Sequence, residues 1–471
     1  MTKIKIGFIT CFMMLSSMAF SREYFVSPSG DDQNNGTKEL AFGSIYRASE
    51  VAVAGDTVTI MGGVYQLQKQ FRPLRSGTPL KWITYRAFPG EKAVFDGRLI
   101  TKAENNNNTV NFSRLTQGVF QIEKVNYLRF ENIEIRGSNA AGFIVRGPDC
   151  KKIELIGCKS DHSHNSGIGL WYCDSVKVLH CEIVGANDNG DQYFEPGQKK
   201  GIEAPHEALS ICGAQFFEVA FNHIHDCFKE GIDCKEVSKH GIIHDNLVHD
   251  LPRQAYYVDA WFGLLEDVEF YNNTAFNCVW GFGISVEGKG SELRDVRIHH
   301  NLVYNMKGSG VLFGMWGNDL LRSDIHIYNN TFYQCGSPKI FSGGVGSIDV
   351  LSKNFRDVYI YHNICDKGWD YEMGFTFSPE EVKKALKERN FVAAENLFEG
   401  RKNRPSRKGQ FDVMVYEYLP EGNQMGAPLY RDELAFDFVP EWLPEVKSTG
   451  IKWKYKPSPW FGAFQPIIPL K

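Results

Sequence analysis

The sequence predicts an all-β fold, a right-handed parallel β-helix (a solenoid) of about ten turns with a small C-terminal helix and loop cap, on three observations. First, an Asn heads a recurring pentapeptide: Asn222-His-Ile-His-Asp, Asn246-Leu-Val-His-Asp, Asn273-Thr-Ala-Phe-Asn, Asn301-Leu-Val-Tyr-Asn and Asn330-Thr-Phe-Tyr-Gln, spaced 24 to 29 residues apart. Second, each unit carries a short run with period-2 alternation, such as Gly231-Ile-Asp-Cys-Lys, Tyr256-Tyr-Val-Asp or Gly281-Phe-Gly-Ile-Ser, which reads as strand. Third, the period is too short for a propeller blade of four strands in ~40 residues, and the Leu pattern of leucine-rich repeats is absent. Each turn buries its apolar face by stacking on the next, and an Asn ladder allows amide hydrogen bonds from turn to turn. Asn also tolerates the left-handed bend expected between strands. Weaker echoes occur at Asn132, Asn363 and Asn396, and Cys158 and Cys181 take the equivalent place.

Composition agrees. Of 471 residues, 43% are hydrophobic and 23% charged, enough for a large core and against wholesale disorder. The length allows about three ordinary domains, but repetitive folds of this size are often one body. With 52 Lys+Arg against 56 Asp+Glu and a net charge of −4, phosphate neutralisation on a nucleic acid is disfavoured.

In chain order, residues 1–21 read as a signal peptide. Lys3 and Lys5 form a basic start, residues 6–18 an apolar stretch, and Ala19-Phe20-Ser21 a small-x-small cleavage signature. About 13 apolar residues fall short of the ~20 that span a bilayer. The chain is therefore expected to be secreted or periplasmic, cleaved near Ser21, with no membrane span. The β-helix is expected over 22–365. Ten cysteines remain after the leader: Cys150, Cys158, Cys173, Cys181, Cys212, Cys227, Cys234, Cys278, Cys335 and Cys365. They lack a CxxC pair, and several sit one repeat apart, so they read as small buried fillers. Residues 185–206 break the repeat as a long loop of the kind that borders binding sites. Ser378-Pro-Glu-Glu-Val-Lys-Lys-Ala-Leu opens a short helix, and 366–471 supplies C-terminal turns and a capping extension.

The opening Tyr24-Phe-Val-Ser-Pro-Ser-Gly-Asp, followed by Asn35-Gly-Thr, Ala54-Gly-Asp-Thr-Val and Gly62-Gly-Val-Tyr, resembles that of secreted right-handed β-helix carbohydrate-active proteins. That group includes polysaccharide lyases and β-helical glycoside hydrolases. The ending Phe461-Gly-Ala-Phe-Gln is similar to their closing strand. The resemblance covers Arg22 to about Cys365 and implies fold more than reaction.

Aligning the main strand of successive turns puts Ile168/Leu170, Leu209/Ile211, Ile232/Cys234, Tyr256/Val258, Phe282/Ile284 and Val311/Phe313 inward. Trp171, Ser210, Asp233, Lys235, Tyr257, Asp259, Trp261, Ser285, Glu287 and Trp316 then point outward. With rungs ~4.8 Å apart and alternate residues ~6.7 Å apart, Lys235 and Asp259 share a column, and Asp233 and Glu287 lie diagonally about Asp259. Outward aromatics, Trp171, Tyr257, Trp261 and Trp316, suit sugar faces, with Arg253 nearby. An oligomer interface would hide the same rings.

Two chemistries fit this patch. Hydrolysis of a glycosidic bond needs one carboxylic acid and one carboxylate, which Asp259 with Asp233 and Glu287 supply, and needs no cofactor. Lys235 beside Asp259 favours its ionised form. The segment Tyr256-Tyr-Val-Asp-Ala-Trp is similar to the nucleophile strand of β-helical β-xylosidases, which implies Asp259 as nucleophile and Glu287 as acid. The alternative is β-elimination on a uronic-acid polymer. Here Lys235 is the base, Arg253 its helper, and Glu207, Glu230 and Asp233 hold Ca²⁺. Glu230-Gly-Ile-Asp-Cys-Lys resembles the Glu-to-Lys spacing of alginate and chondroitin lyases, but Asp259 replaces the Arg that those lyases carry on the next turn. A third class is a non-catalytic glycan-binding β-helix. His162, His164, His206, His223, His225 and His249 are possible metal ligands, but most sit at repetitive turn positions and read as stacked structural residues; His206 stands apart, next to Glu207.

Overall fold

The computed structural model describes residues 21–100, 102–105, 108–111, 116–188, 206–337, 346–369, 371–399, 413–414 and 422–464. The signal-peptide segment lies outside them but for Ser21, as does most of the 185–206 loop.

Successive strands are dealt in turn to three sheets. The repeat Lys239–His244, Leu247–His249 and Gln254–Ala260 is one such circuit. The first sheet runs from Glu23–Val26 to Phe391–Ala394, and the second from Gly63–Gln66 to Gln424–Met425, each with thirteen strands. The third has eleven strands and starts at Gly118–Glu123. All its pairings are parallel but the last, where Val413–Met414 lies antiparallel on Met373–Phe375. The stack thus runs to thirteen rungs where about ten turns were expected, and parallel pairing continues through Gln424–Met425.

The interior is a continuous column of Ile, Val, Leu and Phe. All ten cysteines of the described residues are buried and unbridged, in line with their reading as fillers. The Asn ladder is real: Nδ2 of Asn222 donates to Oδ1 of Asn246 at 2.9 Å, and the same bond repeats through Asn273, Asn301, Asn330, Asn363 and Asn396 to Asn423. Cys181 N–H enters the ladder on Asn222. One expectation is corrected. The ladder asparagines do not take the left-handed bend; the residue before each does, as at Phe221, Asp245, Asn272, His300 and Asn329. Asn132 is one of these bend residues and not a ladder member.

The helix over Pro379–Glu388 starts on a capping box between Ser378 and Glu381. A second helix, Ile45–Val51, was not anticipated; Ser44 caps it by accepting from Arg47 N–H. Phe461 is buried but not in a strand, so the resemblance to a closing strand fails locally. The segment packs as an irregular strap, with Trp453 stacked on Tyr361 at 4.1 Å and Gly462 N–H on His362 O. Among the described residues no helix is long and apolar enough to cross a membrane.

Candidate active site

The site lies on the third sheet, where Leu209–Cys212, Ile232–Glu236, Gln254–Ala260, Trp280–Val286 and Val311–Phe313 are successive rungs. The observed register places Ser210, Asp233, Tyr257 and Gly283 in one column and Cys212, Lys235, Asp259 and Ser285 in the next. This is the register read from the sequence. Ile232, Cys234, Tyr256, Val258, Phe282 and Ile284 all point inward and are buried.

Outward is not exposed here. Asp233 is 1% and Asp259 5% accessible, because they floor a pocket of about 620 Å³. Glu207, Glu230, Lys235 and Tyr257 complete that floor; Arg253, Trp261, Glu287 and Trp316 stand around it. Trp171 does not join them. It is buried with Ala141, Ile144 and Cys212, and faces the His206 ring at 4.5 Å, on the rung before Leu209–Cys212. The pocket also holds Lys229, Gln254 and Trp280, which the alternation rule missed. Gln254 and Trp280 share the parity of the inward residues. They head their strands, where the chain is leaving a bend and alternation does not yet hold.

Gly283 lies opposite Tyr257, and a Cβ there would meet the Tyr257 ring at 2.6 Å. Its absence lets the ring lie across the next rung, where the Tyr257 hydroxyl donates to Glu287. Trp261 Nε1 donates to Asp259 Oδ2 at 2.7 Å, while Asp259 Oδ1, buried, has no protein partner. Asp233 Oδ1 is likewise without one. Such orphaned buried oxygens call for a ligand or a proton.

The charges sort into two groups. Lys235 is 2.8 Å from Glu207 and 3.8 Å from Asp233, and Arg253 is 3.0 Å from Glu230. Burial pushes Glu207 up, but the Lys235 and Lys229 ammonium groups outweigh it and hold its carboxyl low. Burial opposes the Lys235 charge, yet Glu207 holds the ammonium well above its ordinary value. Burial, then repulsion from Glu207, raises Asp233 well above the carboxylate range. Burial, then Glu287, does the same to Asp259, with only partial relief from Trp261 and Lys235. Burial also raises Glu287, opposed first by the hydrogen bond from Tyr257. The expectation that Lys235 keeps Asp259 ionised is therefore reversed, because Lys235 turns to Glu207.

The donor set for Ca²⁺ does not fit a dication. Lys229 Nζ lies 3.7 Å from Glu207 and 3.8 Å from Glu230, and Lys235 takes the remaining side of Glu207 and Asp233. Lys229, Lys235 and Arg253 already occupy the three carboxyls proposed as ligands.

Comparison with known proteins agrees with the fold. Residues 24–216 match the family model described as Pel9A-like, right handed beta helix region, and residues 217–369 match the right handed beta helix region model. An uncharacterized protein YwoF of Bacillus subtilis (strain 168) is 27% identical over 461 residues, 88% of this chain and 90% of that protein. Pectate lyase PEL9 of Emericella nidulans is 29% identical over 126 residues, 26% of this chain and 30% of that protein. The solved structure of pectate lyase Pel9A superposes with a TM-score of 0.43 at 13% identity, over 76% of this chain and 78% of that one. The Pel9A-like match ends at 216, before every pocket residue except Glu207.

Proposed function

The chain belongs to the right-handed β-helix proteins, and from that premise we propose that it is a carbohydrate-active enzyme that cleaves glycosidic bonds of a polysaccharide or oligosaccharide by two-carboxyl hydrolysis. The observation that carries the reading is the pair Asp259 and Glu287 on adjacent rungs, both raised by burial, in a pocket lined by Tyr257, Trp261, Trp280 and Trp316. Aromatic faces bind sugar rings, and a protonated carboxyl can donate to the leaving oxygen.

The electrostatics support roles opposite to those that the β-xylosidase resemblance implied. Asp259 is the more firmly protonated and has a buried oxygen with no protein partner, so it acts as general acid. Glu287 is half-buried and accepts from Tyr257, so it ionises more readily and acts as nucleophile or base. Asp233 stays protonated and donates a hydrogen bond to a sugar hydroxyl. No cofactor is needed. We further propose, from the leader-like residues 1–21, that the chain is exported and acts outside the cytoplasm.

β-Elimination is the second reading, favoured by the similarity to pectate lyase PEL9. Against it, Lys235 holds its proton on Glu207 and is a poor base. The test is product analysis on a panel of neutral and uronic glycans. New reducing ends without ultraviolet-absorbing unsaturated ends support hydrolysis. Unsaturated uronides would replace it with the lyase, and binding without cleavage would replace both.

A further inference from the structure

A second constellation lies on the second sheet, away from the pocket. His223 and His225 leave the same face of the strand His223–His225, since buried Ile224 between them points inward. His249, on the next rung, pairs in register with His225. Three imidazoles thus occupy two adjacent rungs, and one ligand nitrogen from each lies within 4.8 Å of the others. Nε2 of His223 and Nε2 of His249 are 2.8 Å apart.

Two of the rings are oriented from behind. His225 Nδ1 is 2.7 Å from the Asp226 carboxylate, and His249 Nδ1 is 2.6 Å from that of Asp250. Asp226 and Asp250 both sit at the left-handed bend that ends the strand, with φ of 50° and 55°, and this turns each carboxylate back on the preceding ring. Asn277 Nδ2 donates to Asp250 at 3.1 Å and holds it there. A ring that donates Nδ1–H to a carboxylate presents Nε2 as a lone pair, the usual support of a metal-binding histidine. On the rung before, Glu182 is in register with His223 and lies 3.5 Å from His225 Nε2, but the same Oε1 is held by Lys159 Nζ at 2.8 Å and is not counted as a ligand.

We propose that His223, His225 and His249 form a three-histidine site for a divalent transition metal of the zinc class. Imidazole nitrogens select zinc, nickel or copper over calcium and magnesium. Metal–nitrogen bonds of about 2.0–2.1 Å in a tetrahedron need nitrogens roughly 3.3 Å apart, so His223 and His249 must part by about half an ångström, and the stacked His225 and His249 rings must turn for their lone pairs to meet. The ring of His249 lies flat on Phe276 at 4.5 Å, which gives the cluster an apolar wall. Because it spans two adjacent rungs on a sheet that does not line the pocket, the ion would clamp the stack and take no part in glycan cleavage.

The test uses the untagged chain, stripped with EDTA and titrated with ZnCl₂ near neutral pH. We expect one Zn²⁺ per chain by calorimetry and elemental analysis, and a melting temperature that rises with zinc, since the ion binds only the folded state. His249→Ala should weaken binding at least about 100-fold and Asp250→Asn about tenfold, on the scale of supporting-residue losses. His223→Gln is the second ligand variant if His249→Ala fails to fold, and His180→Ala should bind as wild type. Absence of stoichiometric zinc, or binding unchanged in His249→Ala or His223→Gln, would overturn the site.

Discussion

Asp259, Glu287 and Glu372 show how burial changes what a carboxyl does. The Asp259→Asn chain should fold as wild type, because the amide replaces a group already close to neutral. Its turnover should fall by about two to three orders of magnitude, most for poor leaving groups, as for loss of a general acid. Glu287→Gln should lose a similar factor for all leaving groups. Wild-type activity should decline as pH rises through the elevated Asp259 pKa. Near-wild-type turnover in Asp259→Asn would remove the hydrolytic assignment. A second prediction concerns Glu372, fully buried and raised by burial to about 7, with Ser347 Oγ–H and Gly368 N–H donating to it. Its raised pKa means that the folded state binds the proton more tightly than the unfolded state. The stability it contributes is full below its unfolded value of about 4.5 and is lost as pH rises through about 7. Urea unfolding at both ends of that window should show Glu372→Gln gaining up to about 3 kcal/mol on wild type at the higher pH. Parity along the strand made Asp233, Lys235 and Asp259 legible in the sequence. Their burial was not, because it depends on side chains from the heads of four different strands.

Strands and bends carry the next level. Asn301 Oδ1 accepts both N–H and Nδ2 of Asn273, and its Nδ2 donates to Phe270 O and Asn330 Oδ1. Asn301→Ala would strand those buried partners and should cost about 2–4 kcal/mol, seen as a lower denaturation midpoint. An unchanged midpoint would mean that water replaces the amide. Gly283→Ala should displace the Tyr257 ring and with it the hydrogen bond to Glu287. The expected outcome is a stable protein with kcat reduced about tenfold and an altered pH profile on the Glu287 limb. The ladder itself was readable because its amide must recur at every turn. The bend residue before it was not, since Phe, Asp, Asn and His all occupy that place.

At the scale of the whole molecule, the strap from Thr449 to Phe464 crosses rungs far apart in sequence. Tyr455 hydroxyl donates to Asp295 at 2.8 Å, Ser458 N–H to Asn329 at 2.9 Å, and Trp453 Nε1 to Glu395 at 2.8 Å. Ending the chain at Ser448 should lower the melting temperature by about 5 °C or more while leaving the pocket rungs paired. Thermal unfolding followed by circular dichroism checks this, and an unchanged melting temperature would make the strap ornamental to stability. Period and alternation by themselves determined the solenoid, its register and the column shared by Lys235 and Asp259, because stacking repeats one local rule at every turn. Only the tertiary structure decided that this face is a pocket, that Lys235 serves Glu207, and that three histidines cluster. Those outcomes depend on distances between side chains of different rungs, which no local pattern encodes.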